Sequence, residues 1–203
     1  MTDRYQTIKG EAQGEYKEKG SKFYAFAYPV FTREEVNEKL KTLKKSYYDA
    51  RHHVYAFRLG ADMQTYRSSD DGEPSNSSGP PVMGQIRSFG LTNILVVVVR
   101  YFGGTKLGVP GLINAYKTAA RDALEHATVK TYTIDREITM RLAYTDVDRV
   151  MSVLQKNKLQ ILDQQFAKDV TLRFAVPLSE ADALLARLTK LETVKVLKNE
   201  GED

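Results

Sequence analysis

Six consecutive aliphatic residues, Ile94-Leu95-Val96-Val97-Val98-Val99, constrain this chain more than any other segment. An unbroken run rich in β-branched residues reads as a strand buried on both faces. The sequence YFGGTKLGVPG follows it, and then an amphipathic helix from Leu112 to Ala127. On that helix Leu112, Tyr116, Ala119, Ala120, Ala123 and Leu124 share one side, while Asn114, Lys117 and Arg121 share the opposite one.

Upstream, the aromatic-rich stretch Lys22 to Val30 reads as a strand. Thr32 followed by Glu35 is a capping box, and Val36, Leu40, Leu43 and Tyr47 line one face of the helix it opens. His53 to Leu59 alternates as a strand does. Residues from Ser68 to Pro81 are dense in Ser, Asp, Gly and Pro and read as a loop. Pro80 and Pro81 suit the start of a helix whose Val82, Met83, Ile86 and Phe89 face inward.

The pattern changes near residue 130. Ile138, Met140, Leu142 and Tyr144 alternate, and a helix with Val147, Val150, Met151 and Leu154 inside follows. Two strands (Leu159 to Phe166 and Val170 to Val176), a helix opened by Ser179, and a last strand from Val194 to Leu197 complete the chain. That order, β-α-β-β-α-β, is the ferredoxin-like unit. The fold class expected is therefore α+β, with one domain over 1–131 and a ferredoxin-like domain over 132–203. The acidic tail after Asn199 is expected to fray.

Composition narrows the function classes. With no cysteine, disulfides, thiolate nucleophiles and thiolate metal sites are excluded. No apolar run approaches the length of a membrane span, and MTDRYQTIKG lacks the apolar core of a secretory signal, so a cytoplasmic protein is expected. Residues 1–130 hold 19 Lys/Arg against 14 Asp/Glu, a surplus of five, and residues 131–203 hold 11 against 12. Any nucleic-acid face belongs to the first part.

Two segments are more specific than generic loops: SDDGEPS over 69–75, and VVVVRYFGGTKLGVPG over 96–111 leading into LINAY. With GSKF over 20–23 and ARHHVYA over 50–56, they resemble the YigZ/Impact family in matching order, and the resemblance covers about residues 20–127. It implies that the first domain is a two-layer β-α sandwich like domain IV of elongation factor G, and that the second is like domain V. It also implies a link to translation, because eukaryotic relatives of the first domain regulate that process. Two positions depart from the family pattern: Asn76-Ser77-Ser78-Gly79 replaces a common Gly-Thr-Ala-Gly, and Pro110 replaces a common Gly.

The chemistry of these segments points to binding. Gly103 and Gly104 let the backbone turn with positive φ or approach another group closely. Lys106 follows, and a helix N-terminus comes soon after, an arrangement suited to phosphate. Arg100, Gly103, Gly104, Lys106, Asn114, Lys117 and Arg121 are thus the expected nucleic-acid or phosphate contacts. A tight turn and a solvated helix face would account for the same pattern. The signature loop Asp70, Asp71, Gly72, Glu73 and Pro74 carries three carboxylates, which need a cation or a basic partner; Arg58, Arg67 and Arg100 are the candidates. His52 and His53 point to opposite faces of a strand and cannot jointly hold a metal. The Walker pattern and a nucleophile elbow are both missing. No catalytic residue, metal or cofactor is expected. The reading is a non-enzymatic, translation-linked regulator that binds RNA or the ribosome. A protein-interaction module of a stress-response pathway and an enzyme acting on a phosphorylated small molecule are the alternatives.

Overall fold

A computed structural model describes residues 3–197; the tail after Asn199 lies outside the described residues. The chain is a mixed α+β protein of two compact units. One is Tyr5–Tyr132, and the other begins at Thr133 and takes Asp3 and Arg4 with it.

The N-terminal unit runs β1 (Arg4–Ile8), β2 (Ala12–Glu18), β3 (Ser21–Pro29), α1 (Arg33–Ser46), β4 (His52–Leu59), β5 (Thr65–Ser69), α2 (Gly79–Ser88), β6 (Ile94–Tyr101), α3 (Gly108–Glu125) and β7 (Val129–Thr133). Five of these strands form an antiparallel sheet in the order β2-β3-β6-β4-β5, and β1 pairs with β7. The aliphatic run lies in β6, at the centre of the sheet, and Ile94 to Val99 are all fully buried.

The period of two sorts these side chains into two cores. Ile94, Val96 and Val98 pack with Val82, Met83 and Ile86 of α2 and with Leu112, Tyr116 and Ala119 of α3. Leu95, Val97 and Val99 pack with Val36 and Leu43 of α1. The two-layer sandwich implied by resemblance is therefore corrected: helices cover both faces of the sheet. The reason is in β6 itself, since a strand apolar on both faces stays dry only if both are covered.

Several element ends differ from expectation. α3 starts a turn earlier than Leu112, because Pro110 is tolerated in a first helical turn, where its missing N–H costs nothing. β5 occupies the start of the stretch read as loop. β1 and β2 escape pattern reading because their exposed positions are charged and Gly14 interrupts β2. The capping box at α1 is present: the Thr32 hydroxyl accepts from the Glu35 N–H at 3.2 Å, and the Glu35 carboxylate accepts from the Phe31 N–H at 2.7 Å.

The C-terminal unit runs β8 (Asp135–Leu142), a short 3-10 turn, α4 (Val147–Lys156), β9 (Gln160–Phe166), β10 (Val170–Pro177), α5 (Leu178–Leu188) and β11 (Lys195–Leu197). Its antiparallel sheet has the order β11-β8-β10-β9. Alternate residues of β8 and β10, among them Met140, Leu142, Leu172 and Phe174, bury against Val150, Leu154, Leu184 and Leu188 of the two helices. Asp3 joins this unit through backbone: its carbonyl accepts from the Ile134 N–H. Among the described residues no helix is long and apolar enough to cross a membrane.

Candidate functional site

Where β6 ends, the chain must leave the centre of the sheet and pass over the β2–β3 turn. Gly103 makes this passage possible. A Cβ there would sit 1.9 Å from the Gly20 carbonyl carbon, so only a glycine lets the two backbones meet. The Ser21 hydroxyl ties the crossing by accepting from the Gly103 N–H at 3.1 Å. Gly104 then turns at φ +88°. The two glycines thus divide the roles that the sequence left open between them.

Beyond this crossing the chain borders a cavity of about 480 Å³. It brings both signature segments together. Gly72, Glu73 and Pro74 form one wall, Arg100, Phe102 and Lys106 another, and Leu107 to Val109 with Leu112 a third. Arg51 and His52, at the start of β4, complete the lining.

The acidic loop is held by three separate attachments. Asp70 caps α2 from outside the helix: its carboxylate accepts from the Asn76, Ser78 and Gly79 N–H groups and from the Ser78 hydroxyl, at 2.7–3.0 Å. Burial works against ionisation of Asp70, but these hydrogen bonds, led by that from Ser78, outweigh it and hold the carboxyl below its usual value. Asp71 accepts from the His53 N–H at 2.7 Å and lies 3.4 Å from Lys44. Glu73 turns inward. Its side chain is 4% exposed and the Arg100 side chain 7%. One Glu73 carboxylate oxygen accepts from Arg100 at 2.6 Å and from the Tyr116 hydroxyl at 2.7 Å. Burial, and then the Glu73 charge, raise the Tyr116 phenol well above its usual range, which keeps it a donor. Of the three arginines considered for this loop, Arg100 is the one that pairs. Among the described residues no group of three or more His, Asp or Glu is placed to hold a metal ion.

The adjacent histidines separate as a strand requires. His52 faces the cavity, with Nε2 3.9 Å from Glu73 and Nδ1 2.8 Å from the Asp71 carbonyl. His53 is buried, with Nε2 3.1 Å from the Tyr47 carbonyl. Burial lowers the His53 pKa, with Asp71 opposing it, which favours the neutral ring.

The expected cationic residues fall in two places. Arg100 and Lys106 line the cavity, whereas Asn114, Lys117 and Arg121 lie on the exposed face of α3 outside it. Arg121 there pairs with Glu125 at 2.7 Å. Arg51, His52, Phe102 and the Tyr116 hydroxyl belong to the site but were not among the expected contacts. Arg51 and His52 stand in the ARHHVYA motif, which was a usable signal. Tyr116 carried none, since its position on the helix marks it only as core.

Comparison with known proteins fits this geometry. The model of the Impact N-terminal domain matches residues 19–124, which include every residue lining the cavity. The chain belongs to the Impact family. A second model, a domain of unknown function, DUF1949, matches residues 140–191 of this Impact family member. Bacillus subtilis YvyE, named an IMPACT family member, is 29% identical over 202 residues, covering 100% of this chain and 93% of its own. Escherichia coli YigZ, named likewise, is 33% identical over 151 residues, covering 73% of this chain and 74% of its own. A crystal structure described as that of a hypothetical protein aligns over 100% of both chains with a TM-score of 0.71 and 28% identity.

Proposed function

We infer that this Impact family member is a non-enzymatic, translation-linked regulator whose N-terminal unit binds RNA or the ribosome. In this reading the N-terminal unit is a variant of the domain IV sandwich of elongation factor G, and the C-terminal unit is ferredoxin-like.

The observation that carries it is the charge balance of the face around the cavity. Arg51, Arg100 and Lys106 stand against the single carboxylate of Glu73, and Phe102 is half-exposed beside them. Cations interleaved with an open aromatic ring suit a nucleic-acid backbone and an unpaired base. Lys117 and Arg121 extend this basic surface along α3. The Arg121–Glu125 pair is solvent-exposed, so it is weak enough to exchange its carboxylate for a phosphate.

Fluorescence anisotropy with a single-stranded RNA tests the reading. Replacing Lys117 and Arg121 by glutamate should weaken binding and reduce the slope of log K against log salt by about 2, one per lost phosphate contact. An unchanged affinity and slope would overturn the role of α3.

A further inference from the structure

We propose that the cavity is a binding site for a terminal nucleotide phosphate: a phosphomonoester with its base, either a free nucleoside monophosphate or the phosphorylated end of an RNA strand. The proposal rests on the reading of the N-terminal unit as an RNA binder only for the second of these sources.

Four observations converge. First, Arg100 lines the cavity, is more than nine-tenths buried, and its Nε has no hydrogen-bond partner. Glu73 takes the neighbouring guanidinium nitrogen and leaves Nε over. An orphaned donor on a buried cation is costly unless a ligand completes it. Second, α3 begins in the cavity wall, at Gly108 and Val109, with no side-chain cap and no acidic residue in its first turn. Its free N–H groups and the positive end of its dipole face an anion well.

Third, charge matches a dianion. With Arg100 offset by Glu73, Arg51 and Lys106 remain, and neither makes an ion pair among the described residues. A phosphomonoester near neutral pH carries roughly 1.5–2 negative charges, more than the single charge of a backbone diester. The same surplus disfavours a divalent cation. Fourth, the cavity volume of about 480 Å³ lies within the range of small-ligand sites, and Phe102 offers a ring on which a base can stack.

The test uses the full chain. Calorimetric titration with AMP, adenosine and inorganic phosphate is paired with anisotropy on an RNA octamer bearing a 5′-phosphate or a 5′-hydroxyl. Binding of AMP with no heat from adenosine is expected, with inorganic phosphate weaker than AMP. Arg51→Ala and Lys106→Ala, both at exposed positions, should each weaken AMP at least tenfold without moving the thermal midpoint. Lys117→Glu/Arg121→Glu should leave AMP binding as it is. A preference for the phosphorylated octamer assigns the site to RNA ends, and AMP binding without that preference assigns it to free mononucleotides. Adenosine binding as tightly as AMP overturns the proposal. So does the lack of AMP binding together with equal affinity for the two octamers, in which case RNA binding through α3 still stands. AMP binding without any RNA binding has the converse meaning: the cavity holds and the RNA reading falls.

Discussion

Glu73 and Arg100 share a buried position that neither charge could occupy alone. Desolvating an ion costs several kcal/mol, and their contact offsets this only because Tyr116 adds a second hydrogen bond. Glu73→Ala should destabilise the N-terminal unit by about 3–5 kcal/mol, since it strands a buried guanidinium. Tyr116→Phe removes one bond to a charge and should cost about 1.5–3 kcal/mol, and urea denaturation separates the two. Asp70 is a cap, and its loss in Asp70→Ala should cost about 0.5–2 kcal/mol. Because folding lowers its pKa from an ordinary 3.8, the ionised cap contributes fully above that value. The contribution is lost as pH falls through the lower, folded value. The stability gap between wild type and Asp70→Asn should therefore close only in strong acid, below pH 3.8; a gap that closed between pH 5 and 7 would contradict this account. At this scale the sequence was half legible. It marked the loop as needing a basic partner, but Arg100 lies 27 residues from Glu73, and only the β4–β6 pairing brings them together.

Elements were read best where one residue pattern had a single physical solution. The run Ile94–Val99 could only be a central strand, and the α3 stripe could only face it. Edge strands were read worst. β2 has one buried residue in seven, so the pattern along AQGEYKE carries almost no core signal. Close approach between elements is equally hard to see in one dimension. Gly103 and Gly104 look interchangeable in sequence, yet a Cβ at Gly103 collides with the backbone of Gly20 and Ser21, while one at Gly104 meets nothing within 4 Å. Gly104→Ala should cost about 1–2 kcal/mol for a side chain at positive φ. Gly103→Ala should cost more, because the β2–β3 turn must move, and it should also displace Phe102 and Lys106 from the cavity. Chemical denaturation ranks the two variants, and AMP titration shows whether the rim has shifted.

At the scale of the whole molecule, the two units have separate apolar cores. No buried residue of the clusters around β6 belongs to the cluster around β8 and β10. The change of pattern near residue 130 was visible in sequence because each unit satisfies its own periodicity. The membership of Asp3 was not, since it rests on backbone hydrogen bonding to Ile134 and leaves no trace in side-chain pattern. Separate cores make separate targets. Leu172 is fully buried in the C-terminal core, and Leu172→Ala should cost that unit about 2–5 kcal/mol. Calorimetric unfolding of the full chain should then show one transition shifted down and another in place. Binding of AMP and of RNA should be unchanged at temperatures below the shifted transition, because every proposed contact lies in residues 5–132. A single transition that moves as a whole, with ligand affinity falling alongside it, would mean that the C-terminal unit supports the site after all.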